Sequence, residues 1–145
     1  MNRIRLAALT LAAVLLVTPV LAADIAVQKP WVRWLPSDLP AAGYATLVNL
    51  GDKPAALVAV SSPDYGAVML HRSLNRGGME RMVMVDSIPL PPHVSAALAP
   101  GGYHLMLMQP RHAIRPGQQV SLTFRFADGS TVEVQAPVRP ANASG

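Results

Sequence analysis

Histidine and methionine recur at alternate positions in three short segments of the sequence. The segments are residues 67–73, 79–85 and 103–109, and we interpret each as a β-strand. Because successive side chains of a strand point to opposite faces, aliphatic residues fall on one face and His or Met on the other. If the three strands meet in space, the second faces form a cluster of imidazoles and thioethers. Such a cluster suits a soft metal ion, above all Cu(I).

Two histidines and two methionines are the strongest candidate ligands. His71 and Met82 lie on successive strands joined by a loop that contains Gly77-Gly78, so a hairpin would bring them together. His104 and Met106 are two residues apart and therefore share a face, about 7 Å apart along the strand. Two imidazoles and two thioethers form an uncharged set, which suits Cu(I) better than Zn(II).

Further donors lie close to these four in the sequence. Met69, Met84 and Met108 also fall on the His/Met faces, and the sequence leaves open whether they assist binding or only fill space around the metal. We expect Glu80 to point away from Met82, so that no carboxylate lies on the His/Met faces. That arrangement argues against a hard or divalent ion.

Other residues give no sign of a second kind of chemistry. His93 and His112 lie next to prolines and are expected to be loop residues rather than ligands. The chain has no cysteine, which excludes disulfides, thiolate metal sites and the His/Cys/Met centre of electron-transfer cupredoxins. It also lacks a Ser/His/Asp signature, a nucleotide-binding loop and paired carboxylates, so we do not expect an enzyme.

The first residues have the layout of a secretory signal peptide. Residues 1–22 contain Arg3 and Arg5, then an apolar run, then small residues where a peptidase would cut. Since the run is shorter than the ~20 residues of a membrane span, we expect cleavage, export to the periplasm and no span in the mature protein. The mature chain then has ten basic and eight acidic side chains, scattered along it, which predicts no nucleic-acid binding.

The remaining sequence predicts one all-β domain at 23–137 and a short, frayed tail at 138–145. Fourteen prolines and ten glycines separate eight or nine short strands, a pattern typical of an antiparallel sandwich or Greek-key barrel. The segment 30–43, with two tryptophans and three prolines, is predicted to be an ordered loop. Besides the three segments above, the predicted strands are 25–28, 44–49, 56–61, 94–99, 120–127 and 131–136.

The spacing His71-x10-Met82-x21-His104-x-Met106 resembles that of the PCuAC family of periplasmic copper chaperones. The resemblance covers most of the mature chain. It implies a cupredoxin-like Greek-key β-barrel with these four residues as Cu(I) ligands. It also implies delivery of copper to the binuclear copper site of cytochrome c oxidase, in a pathway that commonly includes a Sco-type thiol protein. We expect a monomer. Arg72 stands where members often carry a methionine, and the tail lacks the His and Met of a second copper site.

Two other functions stay open. A periplasmic copper resistance or sequestration protein would use the same ligands, and only a transfer assay would separate it from a delivery protein. A metal-free β-sandwich interaction module would make the alternating His and Met a coincidence. The absence of copper binding would favour this last interpretation.

Overall fold

The computed structural model describes residues 24–36 and 39–145, so the predicted signal peptide at 1–22 lies outside the described residues. This part of the chain holds ten β-strands and no helix, and therefore no helix that could cross a membrane. The all-β prediction is confirmed. The strands are β1 (Ile25–Arg33), β2 (Ala41–Asn49), β3 (Ala55–Ser61), β4 (Tyr65–Arg76), β5 (Met79–Met84), β6 (Ile88–Leu90), β7 (Ser95–Leu98), β8 (Tyr103–Pro110), β9 (Gln119–Phe126) and β10 (Thr131–Arg139).

Hydrogen bonds join the strands into one continuous sheet. Its order is β5-β4-β8-β7-β2-β1-β10-β9-β3-β6, and β8 also pairs with β2. Most neighbours are antiparallel, but β1 pairs with β10 in parallel, and so does β7 with β8. The β1–β10 pair connects the half of the sheet that carries β5, β4 and β8 to the half made of β9, β3 and β6.

Aliphatic and aromatic side chains from both halves form a single core. In β9, Phe124 and Phe126 are buried while Arg125 between them is exposed, as strand alternation requires. Leu70 of β4 and Leu105 of β8 enter the same core. Burying a large apolar side chain contributes roughly 1.5–3 kcal/mol. The neighbours of these two leucines in sequence are therefore held on the opposite, outer face of the sheet.

The segment 30–43 differs from the loop that we predicted. β1 continues to Arg33 and β2 begins at Ala41, so the connection between them is limited to residues 34–40. The two strands resume their pairing at Trp31 and Tyr44 after an irregularity that follows Gln28. A bulge of this kind lets Pro30, which lacks an N–H, sit within a strand. The loop prediction was wrong at both ends because burial of Trp31, Val32 and Tyr44 outweighs the turn signal of the prolines.

Two smaller differences concern β6 and the end of the chain. β6 has a proline at its centre and was not predicted as a strand. The proline is tolerated because β6 is an edge strand of the sheet. β10 continues to Arg139, beyond the expected domain end at residue 137. Further along, Arg33 donates a hydrogen bond from Nη2 to the Ala143 carbonyl at 2.9 Å, which holds part of the tail that we expected to be frayed.

Candidate metal centre

The β4–β5 hairpin places the methionines of β5 against His71. Its turn is Gly77-Gly78, with φ of +61° and +80°. A type I′ turn needs positive φ at both central residues, and glycine adopts it without a Cβ clash. The turn fixes a register in which Met84 lies directly opposite His71, and Met82 lies opposite Ser73, two residue pairs closer to the turn than Met84. Both methionines therefore share a face with His71.

The pairing of β4 with β8 brings the two histidines side by side. His71 lies opposite His104, and Met69 lies opposite Met106. The centroids of the two imidazole rings are 5.7 Å apart, and the ring planes are 71° apart. All four ligands predicted from the sequence thus lie on one face of three adjacent strands.

His104 is held with one ring nitrogen available to a ligand. The residue is only 5% exposed, and its Nδ1 lies 3.1 Å from the Gly102 carbonyl oxygen, which accepts a hydrogen bond if Nδ1 carries the proton. That tautomer leaves a lone pair on Nε2. Metal-binding histidines commonly have this arrangement, in which a backbone carbonyl fixes the ring from its other nitrogen.

Two imidazole nitrogens at the centre of the cluster are buried and unpaired. Nε2 of His104 and Nδ1 of His71 have no hydrogen-bond partner among residues 24–36 and 39–145. Buried polar atoms are nearly always paired, because an unpaired one retains its full cost of leaving water. Binding a metal ion would satisfy both lone pairs.

The surroundings of His71 favour its neutral form. Burial lowers the pKa of His71 below its usual 6.5, and the nearby His104 lowers it further. A lowered pKa keeps the imidazole unprotonated near neutral pH. A proton and a metal ion compete for the same lone pair, so the lowered pKa leaves the lone pair of His71 available to a metal ion near neutral pH.

Thioethers flank the histidine pair, and a cavity borders His104. Met82 is 57% exposed and Met84 is 65% exposed, so neither side chain is part of the core. A cavity of about 620 Å³ is lined by His104, Met106 and Met82, among other residues. A soft ion in this cavity would meet three of the four predicted donors.

Glu80 does not take the orientation expected from the sequence. It lies opposite Asn75 of β4, on the same face as Met82, and it also lines the cavity. The prediction was wrong because residues two apart in a strand share a face. Within the described chain, however, no three His, Asp or Glu side chains are grouped closely enough to hold a metal ion. The direct cross-strand neighbours of His71 are His104 and Met84.

The remaining candidates lie outside the cluster or at its margin. His93 and His112 are loop residues, as predicted, and each bonds a carboxylate: His93 bonds Asp52 at 2.7 Å and His112 bonds Asp64 at 2.8 Å. Asp64 raises the pKa of His112. Met108 lies opposite Ala67, two residue pairs beyond Met106 and farther from the histidines.

The chain is similar to known proteins over most of its length. The family model described as "Putative lipoprotein LpqE-like" matches residues 25–138. The chain is 36% identical over 124 residues to "Putative lipoprotein Lxx21020" of Leifsonia xyli subsp. xyli, covering 84% of this chain and 74% of that protein.

The names of two similar solved structures state that copper is bound. The chain matches the copper-bound PCuAC domain from PmoF2 with 28% identity and a TM-score of 0.69, covering 82% of this chain and 95% of that domain. It matches the solution structure of Cu(I)-DR1885 from Deinococcus radiodurans with 33% identity and a TM-score of 0.68, covering 87% and 85% of the two chains. PCuAC domains have a cupredoxin-like β fold, so the predicted fold is confirmed.

Proposed function

The chain belongs to the LpqE-like family, which is the PCuAC family that its sequence resembles, and we propose that it is an exported protein that carries one Cu(I) ion. His71, Met82, His104 and Met106 are the proposed ligands. One observation carries the proposal: two buried imidazole nitrogens without partners in the described chain lie on a sheet face that is lined with thioethers. The copper-bound relatives and the lipoprotein names support binding and export respectively.

The proposed donors suit Cu(I) by charge and by softness. Thioethers are neutral at every pH, and imidazoles bind the metal in their neutral form. Only a protonated imidazole has to lose a proton before it can bind. Glu80 adds a negative charge to the cavity and would attract any cation. Discrimination against Zn(II) therefore rests on the methionines, because Zn(II) prefers thiolate, imidazole or carboxylate ligands.

The exposure of the ligands supports a carrier rather than a permanent metal site. His104 is buried and fixed by the Gly102 carbonyl, whereas Met82 is 57% exposed. A receiver protein could thus displace Met82 first, while His104 still holds the ion. We propose that this receiver is the subunit with the binuclear copper site of cytochrome c oxidase, that a Sco-type thiol protein acts in the same pathway, and that the protein works in the periplasm as a monomer without enzymatic activity.

A transfer assay tests the delivery function. The mature protein, loaded with Cu(I) under anaerobic conditions, is mixed with the purified soluble copper domain of the oxidase, and the two are separated and analysed for copper. We expect the copper to move to the oxidase domain. Retention of copper by the wild-type protein would favour resistance or sequestration instead.

The Met82→Leu variant tests whether Met82 is one of the copper ligands. Leucine conserves volume, so the change should cost less than about 1.5 kcal/mol of folding stability. It removes one proposed donor, so the variant should load copper far more weakly. A Met82→Leu variant that binds Cu(I) as tightly as the wild type would remove Met82 from the ligand set.

A further inference from the structure

Three soft or borderline donors stand in one row across the outer face of the sheet. The register of β5, β4 and β8 aligns Met84, His71 and His104 as direct cross-strand neighbours. Directly opposed side chains in antiparallel strands lie about 4.5–5.5 Å apart at Cβ. Met84 is therefore closer to His71 along this row than Met82 is, although Met82 carries the family spacing.

Accessibility rises steadily along this row. His104 is 5% exposed, His71 is half-buried, and Met84 is 65% exposed. β5 is also an edge strand, with β4 as its neighbour on one side. A donor on an edge strand can be reached by another molecule without opening the sheet.

Packing gives no reason for a methionine at position 84. The core-facing residues of β4 and β8 point to the other side of the sheet, and Met84 leaves most of its surface in solvent. Exposed edge strands usually carry charged residues, which discourage pairing with other chains. A long apolar side chain next to an unpaired imidazole nitrogen is better explained by its sulfur atom.

We propose that Met84 is an exchange donor, through which Cu(I) enters and leaves the site; this rests on the proposed Cu(I) function. As the ion leaves, the Met84 sulfur donates a lone pair to Cu(I) while the bond to one of the inner ligands breaks. Copper stays in the +1 state throughout, and no electron or proton is transferred. The incoming ligand of a receiver then displaces Met84, which is the most exposed donor of the row.

Met79 provides a matched control on the same strand. It is 71% exposed, but it lies opposite Arg76 at the turn and points to the other face. Met84→Leu and Met79→Leu thus remove equally exposed thioethers, of which only the first lies beside His71. Both changes conserve volume, so both variants should fold.

The experiment measures Cu(I) transfer to the chelator bicinchoninate by stopped-flow absorbance, together with the equilibrium affinity. For Met84→Leu we expect transfer to slow roughly tenfold, which corresponds to about 1.4 kcal/mol in the exchange barrier, while the affinity changes little. Met79→Leu should match the wild type in both. In protein with labelled methionine methyl groups, substoichiometric Ag(I), a redox-stable soft probe, should shift the Met84 signal and leave that of Met79 in place.

Two results would overturn the exchange role. Transfer from Met84→Leu at the wild-type rate would show that its sulfur takes no part in exchange. A loss of affinity as large as that of Met82→Leu would make Met84 a permanent ligand instead. Failure of the wild-type protein to bind Cu(I) at all is a separate result, which would refute the proposed function and this inference with it.

Discussion

Acidification should release Cu(I) from this protein, because protons compete with the metal for two imidazoles. Burial and the proximity of His104 lower the pKa of His71, so proton competition at His71 begins below 6.5. At the acid limit each competing imidazole reduces the affinity about tenfold per pH unit, and two reduce it about a hundredfold, or about 2.7 kcal/mol per unit. The thioethers do not titrate and add nothing to this slope.

The assay is a competition titration against a Cu(I) chelator under anaerobic conditions, from about pH 8 to about pH 5, the range in which histidines titrate. His71→Ala should bind more weakly and show a slope near one proton per copper, because a single imidazole is left. His93→Ala is the control, since His93 bonds Asp52 at the surface, away from the cluster. Its slope should equal that of the wild type.

A wild-type affinity that stays flat down to about pH 5 would remove both histidines from the site. A slope near one that is unaffected by His71→Ala would retain only His104. Either result would contradict the assignment of the two unpaired nitrogens as ligands.

Three further predictions follow from the same geometry. Met106→Leu should weaken Cu(I) binding strongly, while Met108→Leu, two residue pairs farther from the histidines, should hardly affect it. Equal losses of affinity in chelator competition would contradict the ligand set. Gly78→Ala places a Cβ at φ +80° and should destabilise the protein by roughly 1–2 kcal/mol in urea unfolding, whereas Gly102→Ala, where the nearest atom would lie 3.7 Å away, should be near neutral. In the metal-free protein the lowered pKa of His71 should reduce stability as the pH falls through 6.5, since the unfolded chain binds the proton more readily, whereas the raised pKa of His112 acts in the opposite direction. The free energy of unfolding of the wild type minus that of His71→Gln isolates the first effect and should decrease as the pH falls; a difference that does not change with pH would contradict this.

Strand periodicity was enough to predict the face on which the site lies. In 67–73 and 103–109 the leucines alternate strictly with His and Met, and the leucines are the core residues of β4 and β8. Gly77-Gly78 marked the hairpin turn correctly, since its φ values are those that a two-residue turn demands. The outward orientation of His71, His104 and Met106 follows directly from these local patterns.

The pairing of β4 with β8 could not be predicted from the sequence, because it joins segments that are distant along the chain. Nothing local sets His71 opposite His104, and the position of Met84 opposite His71 requires the turn geometry in addition. The hydrogen bond from His104 to Gly102 depends on the backbone that precedes β8. The orientation of Glu80, by contrast, was readable from the sequence, since it lies two residues from Met82 and must share its face.

Strands that contain a proline were the least predictable part of the fold. Pro30 and Pro89 both lie within strands, one next to a bulge and the other at the edge of the sheet. In both places tertiary context removes the need for the missing N–H. Local turn signals cannot reveal such a context.

The most direct test of the central claim is an anaerobic titration of the mature protein with Cu(I), followed by X-ray absorption spectroscopy of the loaded protein. One tightly bound Cu(I) per chain is expected, with both nitrogen and sulfur neighbours, as two imidazoles and two thioethers would provide. Two tight equivalents, or a shell of nitrogen and oxygen without sulfur, would contradict the account.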